Sequence, residues 1–171
     1  MTDSSSPPME FNARDINESV GSLFSRVRST MVNMINQRTT YELGITGTQG
    51  SILFMLWSGK CLLAAELARE FGIDASAVTR RIDLLEARDL LRRVRGVEDR
   101  RVVRLALTPE GEAMAARMPA IFASVVDKLL SGFTLEETGF LKSMLRRVLA
   151  NSGDLAGITH DVALYLEKKT H

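Results

Sequence analysis

Apolar residues recur along most of this chain at helical spacing. Ile16, Val20, Leu23, Val27, Met31 and Met34 or Ile35 fall three and four apart, which predicts a helix of about 20 residues with one apolar face. Asp15 or Asn12 is placed to cap its start, and Gly44 breaks the pattern. A helix of this length calls for a long partner, either another long helix or a second chain. Thr46 and Gln49 have capping-box spacing before a short helix carrying Ile52, Leu53, Leu56 and Trp57, which Ser58-Gly59 stops. Two close-set helices follow. Ala64 to Phe71 is ended by Gly72, and Asp74 caps a second helix from Ala75 to about Leu90. On that second helix Val78, Ile82 and Leu85 share one side, and Ser76, Arg80, Asp83 and Ala87 share the other, flanked by Ala77 and Thr79.

The periodicity then changes from helical to alternating. Leu91 to Arg95 and Val102 to Leu107 flank the Gly- and charge-rich segment 96–101, which predicts a hairpin. Thr108-Pro109-Glu110 opens the next helix, with a cap, a proline at its first position and an acid in its first turn. Its stripe is Met114, Met118, Ile121, Val125 and Leu129, with a kink or break expected at Pro119 and a stop at Gly132. Thr134 and Glu137 form another capping box, before Phe140, Leu141, Met144, Leu145, Val148 and Leu149. Residues 151–171 carry a weaker pattern, and residues 1–12, rich in Ser and Pro, read as a tail. The expected fold is mostly α with a small β-hairpin. It divides into the tail, an N-terminal helix over 13–45, a helix-turn-helix and hairpin over 46–107, and C-terminal helices over 108–171.

Composition sets the class. The 171 residues are 45% hydrophobic and 25% charged, ordinary for a globular protein and unlike a disordered or fibrous chain. Lys and Arg total 22 and Asp and Glu 21, so any nucleic-acid face must be a local patch. One cysteine, Cys61, permits no internal disulfide. With no signal-like start and no run long enough to span a membrane, the expected compartment is the reducing cytoplasm. The motifs of enzymes are missing: no Gly-rich phosphate loop, no nucleophile elbow, and no His/Cys/acid cluster at metal-ligand spacing. No catalysis, cofactor or metal is expected.

A local patch does exist. Between Arg88 and Arg104 stand seven arginines against three acids, four net positive charges on a chain whose total is +1. Arg is weakly hydrated and planar, which suits a narrow minor groove. The hairpin tip bears Arg100 and Arg101, and Asp99 beside them can orient an Arg by a charge-assisted hydrogen bond. Ser76, Ala77, Thr79 and Arg80 place small and polar groups at the start of a helix otherwise buried, so its backbone can enter a major groove and Arg80 can reach a base edge. Arg88, Arg92 and Arg93 are phosphate contacts or plain solvated charges, and Arg104 faces away.

These residues resemble the MarR family of bacterial transcriptional regulators. The resemblance rests on Leu67-Ala68, Ala77-Val78-Thr79-Arg80, Leu84-Leu85-Glu86, Asp99-Arg100-Arg101 and Leu107-Thr108-Pro109-Glu110-Gly111, and covers roughly residues 14–150. It implies a winged helix-turn-helix, a homodimer of interlocked terminal helices, and double-stranded DNA with a palindromic operator as partner. Ser76, Ala77, Thr79 and Arg80 would face the major groove, and Arg101, oriented by Asp99, the minor groove. It also implies a pocket for a small aromatic acid or phenol between the dimerisation helices and the winged domain. Candidates for that pocket are Trp57, a core residue or a wall, Met31, and Arg28 or Arg38 as carboxylate partner. The methionines 31, 34, 114, 118 and 144 are dimer core or an adaptable pocket lining. Two features depart from the family: Leu63 stands where a Ser or Thr usually caps, and residues 151–171 are longer than many members carry. The expected function is a repressor released by its ligand. The rivals are a winged-helix docking module for an acidic protein and a regulator switched by oxidation of Cys61.

Overall fold

The computed structural model describes residues 18–95 and 103–151. Its elements are α1 (Val20–Leu43), α2 (Gly47–Trp57), α3 (Ala64–Phe71), α4 (Ala75–Ala87), β1 (Leu91–Arg95), β2 (Val103–Leu107), α5 (Pro109–Ala115), α6 (Met118–Leu129) and α7 (Leu135–Asn151). The fold is mostly helical with a single antiparallel hairpin among the described residues, as the sequence predicts.

Each element begins and ends for a local reason. α1 starts later than the stripe suggests. Its cap is Ser19, whose hydroxyl accepts the Ser22 amide at 3.2 Å, and Asn12 and Asp15 lie outside the described residues. The helix runs 24 residues to Gly44 at φ 65°. The Thr46–Gln49 capping box closes in both directions, at 2.9 and 3.2 Å. Leu63 leaves no loose end on α3, because the Glu66 carboxylate accepts the amides of Leu62 (2.7 Å) and Leu63 (2.9 Å). Those bonds hold the Glu66 carboxyl below the usual carboxylate range.

α4 ends at Ala87, one turn short of Leu90. The amide of Leu90 donates to Leu85 O and that of Asp89 to Glu86 O, with Asp89 left-handed at φ 55°. This is a Schellman closure with Asp where Gly is usual, and Asp is among the few residues that tolerate the conformation. Pro119 acts as expected on the following helix. The stretch from 109 to 129 divides into α5 and α6, and Pro119 lies in the first turn of α6, where its missing amide costs nothing.

The core gathers around α2, which is buried on nearly all sides. Ile52, Leu53, Phe54 and Leu56 meet Leu43 and Ile45, Leu67 of α3, Val78, Ile82 and Leu85 of α4, Leu91 and Leu105 of the hairpin, and Ala115, Met118 and Ile121. Met118 corrects an expectation. It packs within its own chain, beside Gly50, where a side chain would collide with its sulfur, so it is not dimer core. Met114 lies partly buried against the same core. Among the described residues, two helix faces remain uncovered. On α1, Val20, Leu23, Phe24 and Val27 are 41–58% exposed, and α7 buries no residue at all, leaving Phe140, Met144, Leu145, Val148 and Leu149 open. Among the described residues no helix is long and apolar enough to cross a membrane.

Candidate nucleic-acid interface

The site is built from α3, α4 and the hairpin. Val78, Ile82 and Leu85 are fully buried, which turns the opposite side of α4 outward. Ser76, Thr79 and Arg80 are exposed there, and Ala77 is half-buried at the edge. Asp74 caps the helix by accepting the Ala77 amide at 2.8 Å and the Ser76 hydroxyl. The two bonds, the hydroxyl first, hold its carboxyl below the usual range. Arg80 folds back along the helix toward Ser76, with Nη2 3.4 Å from Oγ and Nε 3.5 Å from the carbonyl. Thr79 donates to Ala75 O at 2.8 Å, and Arg81 to Ala77 O at 2.8 Å. Among the described residues these polar groups bond only within their own helix and its cap, so exchanging those bonds for base or phosphate contacts unmakes no tertiary contact there.

The hairpin stands beside this face. β1 and β2 pair with Leu91 opposite Leu107, Arg93 opposite Leu105 and Arg95 opposite Val103. The Leu105 amide also donates to Leu62 O at 2.8 Å, joining the loop before α3 to the outer edge of β2. Of the arginines whose roles the sequence left open, two are tied to the protein. Arg88 donates to Gly44 O at 2.7 Å, at the end of α1. Arg93 bridges Asp83 and Glu86 of α4, and the Asp83 bond, chiefly, strengthens its hold on its proton. Arg92 and Arg95 are exposed, and Arg104 lies near enough to Glu66 to favour its ionised form. Asp99, Arg100 and Arg101 lie outside the described residues.

Comparison with known proteins places this arrangement. Residues 45–103 match the model of the MarR family. The HTH-type transcriptional repressor MdtR of Bacillus subtilis is 31% identical over 123 residues, covering 72% of this chain and 76% of that one. This chain belongs to the MarR family. The multiple antibiotic resistance protein MarR of Salmonella typhimurium is 26% identical over 144 residues, 77% of this chain and 99% of the relative. The reduced form of MarR from E. coli superposes with a TM-score of 0.69 at 25% identity, over 77% of this chain and 96% of that one. The winged-helix fold and the regulator class expected from the motifs both stand, and the class is not an enzyme one.

Of the remaining candidates on this MarR-family chain, three lie along α1 and Trp57 ends α2. Arg28 is exposed on α1 and Met31 is half-buried four residues before Ile35. Arg38 pairs with Glu42 at 3.0 Å, and Glu42 also meets Arg117 at 3.7 Å. Trp57 is half-buried beside Phe54, with ring centroids 6.2 Å apart, and Phe54 meets Phe122 edge-on at 5.4 Å. Among the described residues no group of three His, Cys, Asp or Glu side chains is arranged to hold a metal ion.

Cys61 is 3% exposed, and burial, then the carboxylates of Glu70 and Glu66, push its thiol pKa up. A thiol held protonated and out of solvent is a poor oxidation sensor. Cys61→Ser is therefore expected to leave DNA affinity unchanged within twofold, roughly, before and after peroxide treatment. Loss of a peroxide response on this substitution would establish the thiol switch instead.

Proposed function

We propose that this protein is a homodimeric repressor that binds a palindromic operator through α4 and the hairpin, and that a small aromatic acid or phenol releases it. The solvent-open side of α4 carries the proposal: Ser76, Thr79 and Arg80 stand exposed on a helix whose other side is sealed into the core. The name transcriptional repressor borne by MdtR supports the sign of regulation. The uncovered apolar faces of α1 and α7 support a dimer, since a monomer rarely leaves large apolar faces in water. A dimer sets two α4 helices about one helical turn of DNA apart, roughly 34 Å. In the effector role we place Trp57 and Met31 as walls and Arg28 or Arg38 as carboxylate partner. A ligand that prefers another spacing of the α4 helices by about 1–3 kcal/mol changes operator affinity 5- to 150-fold, roughly.

Salt titration of binding to the region upstream of its own gene is the test. Phosphate contacts release counterions, so log affinity against log salt should fall with a slope near −0.9 per contact, roughly. A shallow slope shared by unrelated duplexes would overturn the operator reading and favour a docking module for an acidic protein.

A further inference from the structure

A DNA-reading helix that carries carboxylates repels the phosphates it approaches. α4 carries two on its exposed flank, Asp83 and Glu86, with side chains 56% and 36% exposed. Both are engaged by one residue of the hairpin. Arg93 Nη2 donates to Asp83 Oδ1 at 2.6 Å, Nη1 donates to Glu86 Oε2, and the Arg93 backbone amide donates to Glu86 Oε1 at 3.0 Å. The two acids stand three residues apart, on successive turns, so one planar guanidinium spans both. The hairpin root is fixed by Leu91 and Leu105 in the core. Beyond that root, Arg93 grips the side of α4 at three points. An ion pair this exposed adds little to stability, yet the fork and the amide together define an angle.

We propose that Arg93, gripped by Asp83 and Glu86, is a positioning residue that sets the hairpin against α4 and thereby fixes the preference for base pairs flanking the major-groove contact. The inference rests on the operator reading given above. It makes Asp83 and Glu86 contributors to DNA recognition in spite of their charge.

The test uses the full chain and a duplex enriched from a randomised library by the parent protein, with its central and flanking positions then varied separately. The parent should prefer its own flanks by about tenfold, and Arg93→Ala should cut that to about twofold while central discrimination persists. The double variant Asp83→Asn with Glu86→Gln should lose flank preference in the same way, although it removes two negative charges. Arg93→Lys should restore part of it, since an ammonium can hold one carboxylate but not the fork. Melting temperatures should stay within about 2 °C of the parent, as exposed pairs imply. Tighter binding by the acid-neutralised variant with the parent's flank preference intact would overturn the proposal and make Arg93 a phosphate contact. Arg80→Ala is measured on the same duplexes. If it leaves both affinity and central discrimination untouched, the operator reading itself fails and this inference with it.

Discussion

Gly111→Ala is expected to cost on the order of 3 kcal/mol, the largest stability effect of any single methyl group foreseen for this chain. A β-carbon built at Gly111 falls 1.8 Å from the carbonyl oxygen of Leu90 and 2.8 Å from its carbonyl carbon. Both are backbone atoms, so no rotamer change relieves the overlap. Neither neighbour is free to move. Leu90 is buried, and its carbonyl accepts the Thr108 amide at 3.2 Å. Thr108 in turn caps α5 by accepting the Gly111 amide at 3.1 Å, and donates its hydroxyl to Asp89 O at 2.6 Å. The sequence Leu107-Thr108-Pro109-Glu110-Gly111 thus specifies one joint: α5 starts flush against the chain leaving α4. At about 2–4 °C per kcal/mol for a chain of this size, the melting temperature should drop by roughly 6–12 °C at fixed protein concentration. An unchanged melting temperature would mean that the joint is looser than this geometry requires.

Arg80→Ala should weaken operator binding by about 1–3 kcal/mol and flatten base preference at the position it reads. Arg80 is exposed and folded toward Ser76, so its removal disturbs no packing and the melting temperature should hold. Binding measured over a panel of single base-pair variants distinguishes a base contact from a phosphate contact. A uniform loss across the panel, with the salt slope reduced by about one, assigns Arg80 to the backbone. Parent-like affinity throughout would remove α4 from the DNA altogether.

Features written in adjacent residues were legible in the sequence. The caps at Thr46, Asp74, Thr108 and Thr134, the stop at Gly72 and the break at Pro119 all depend on groups a few residues apart, and the structure keeps each of them. The outward turn of Ser76, Thr79 and Arg80 followed from the spacing of Val78, Ile82 and Leu85. Features set by distant partners were not legible. Arg88 finds its acceptor 44 residues away in Gly44, and Arg93 meets Asp83 and Glu86 only once the hairpin has folded back on α4. Met118 looked like part of an outer stripe, and only the bare backbone at Gly50 makes room for it inside. Two signals could have been caught. Glu66, placed three residues after Leu63, is the acid half of a capping box without its hydroxyl, and Asp89 occupies the left-handed residue of a helix end, which Asp tolerates.

The bond from Arg88 to Gly44 O has a mechanical meaning. α1 is 24 residues long, about 36 Å at 1.5 Å per residue, so swinging it by ~10° about its midpoint carries its far end ~3 Å. That arc is close to the rise of one base pair, about 3.4 Å. Under the operator reading proposed above, a pivot of that size near the middle of the long rod, passed on through the Arg88 guanidinium, would put α4 out of step with the groove.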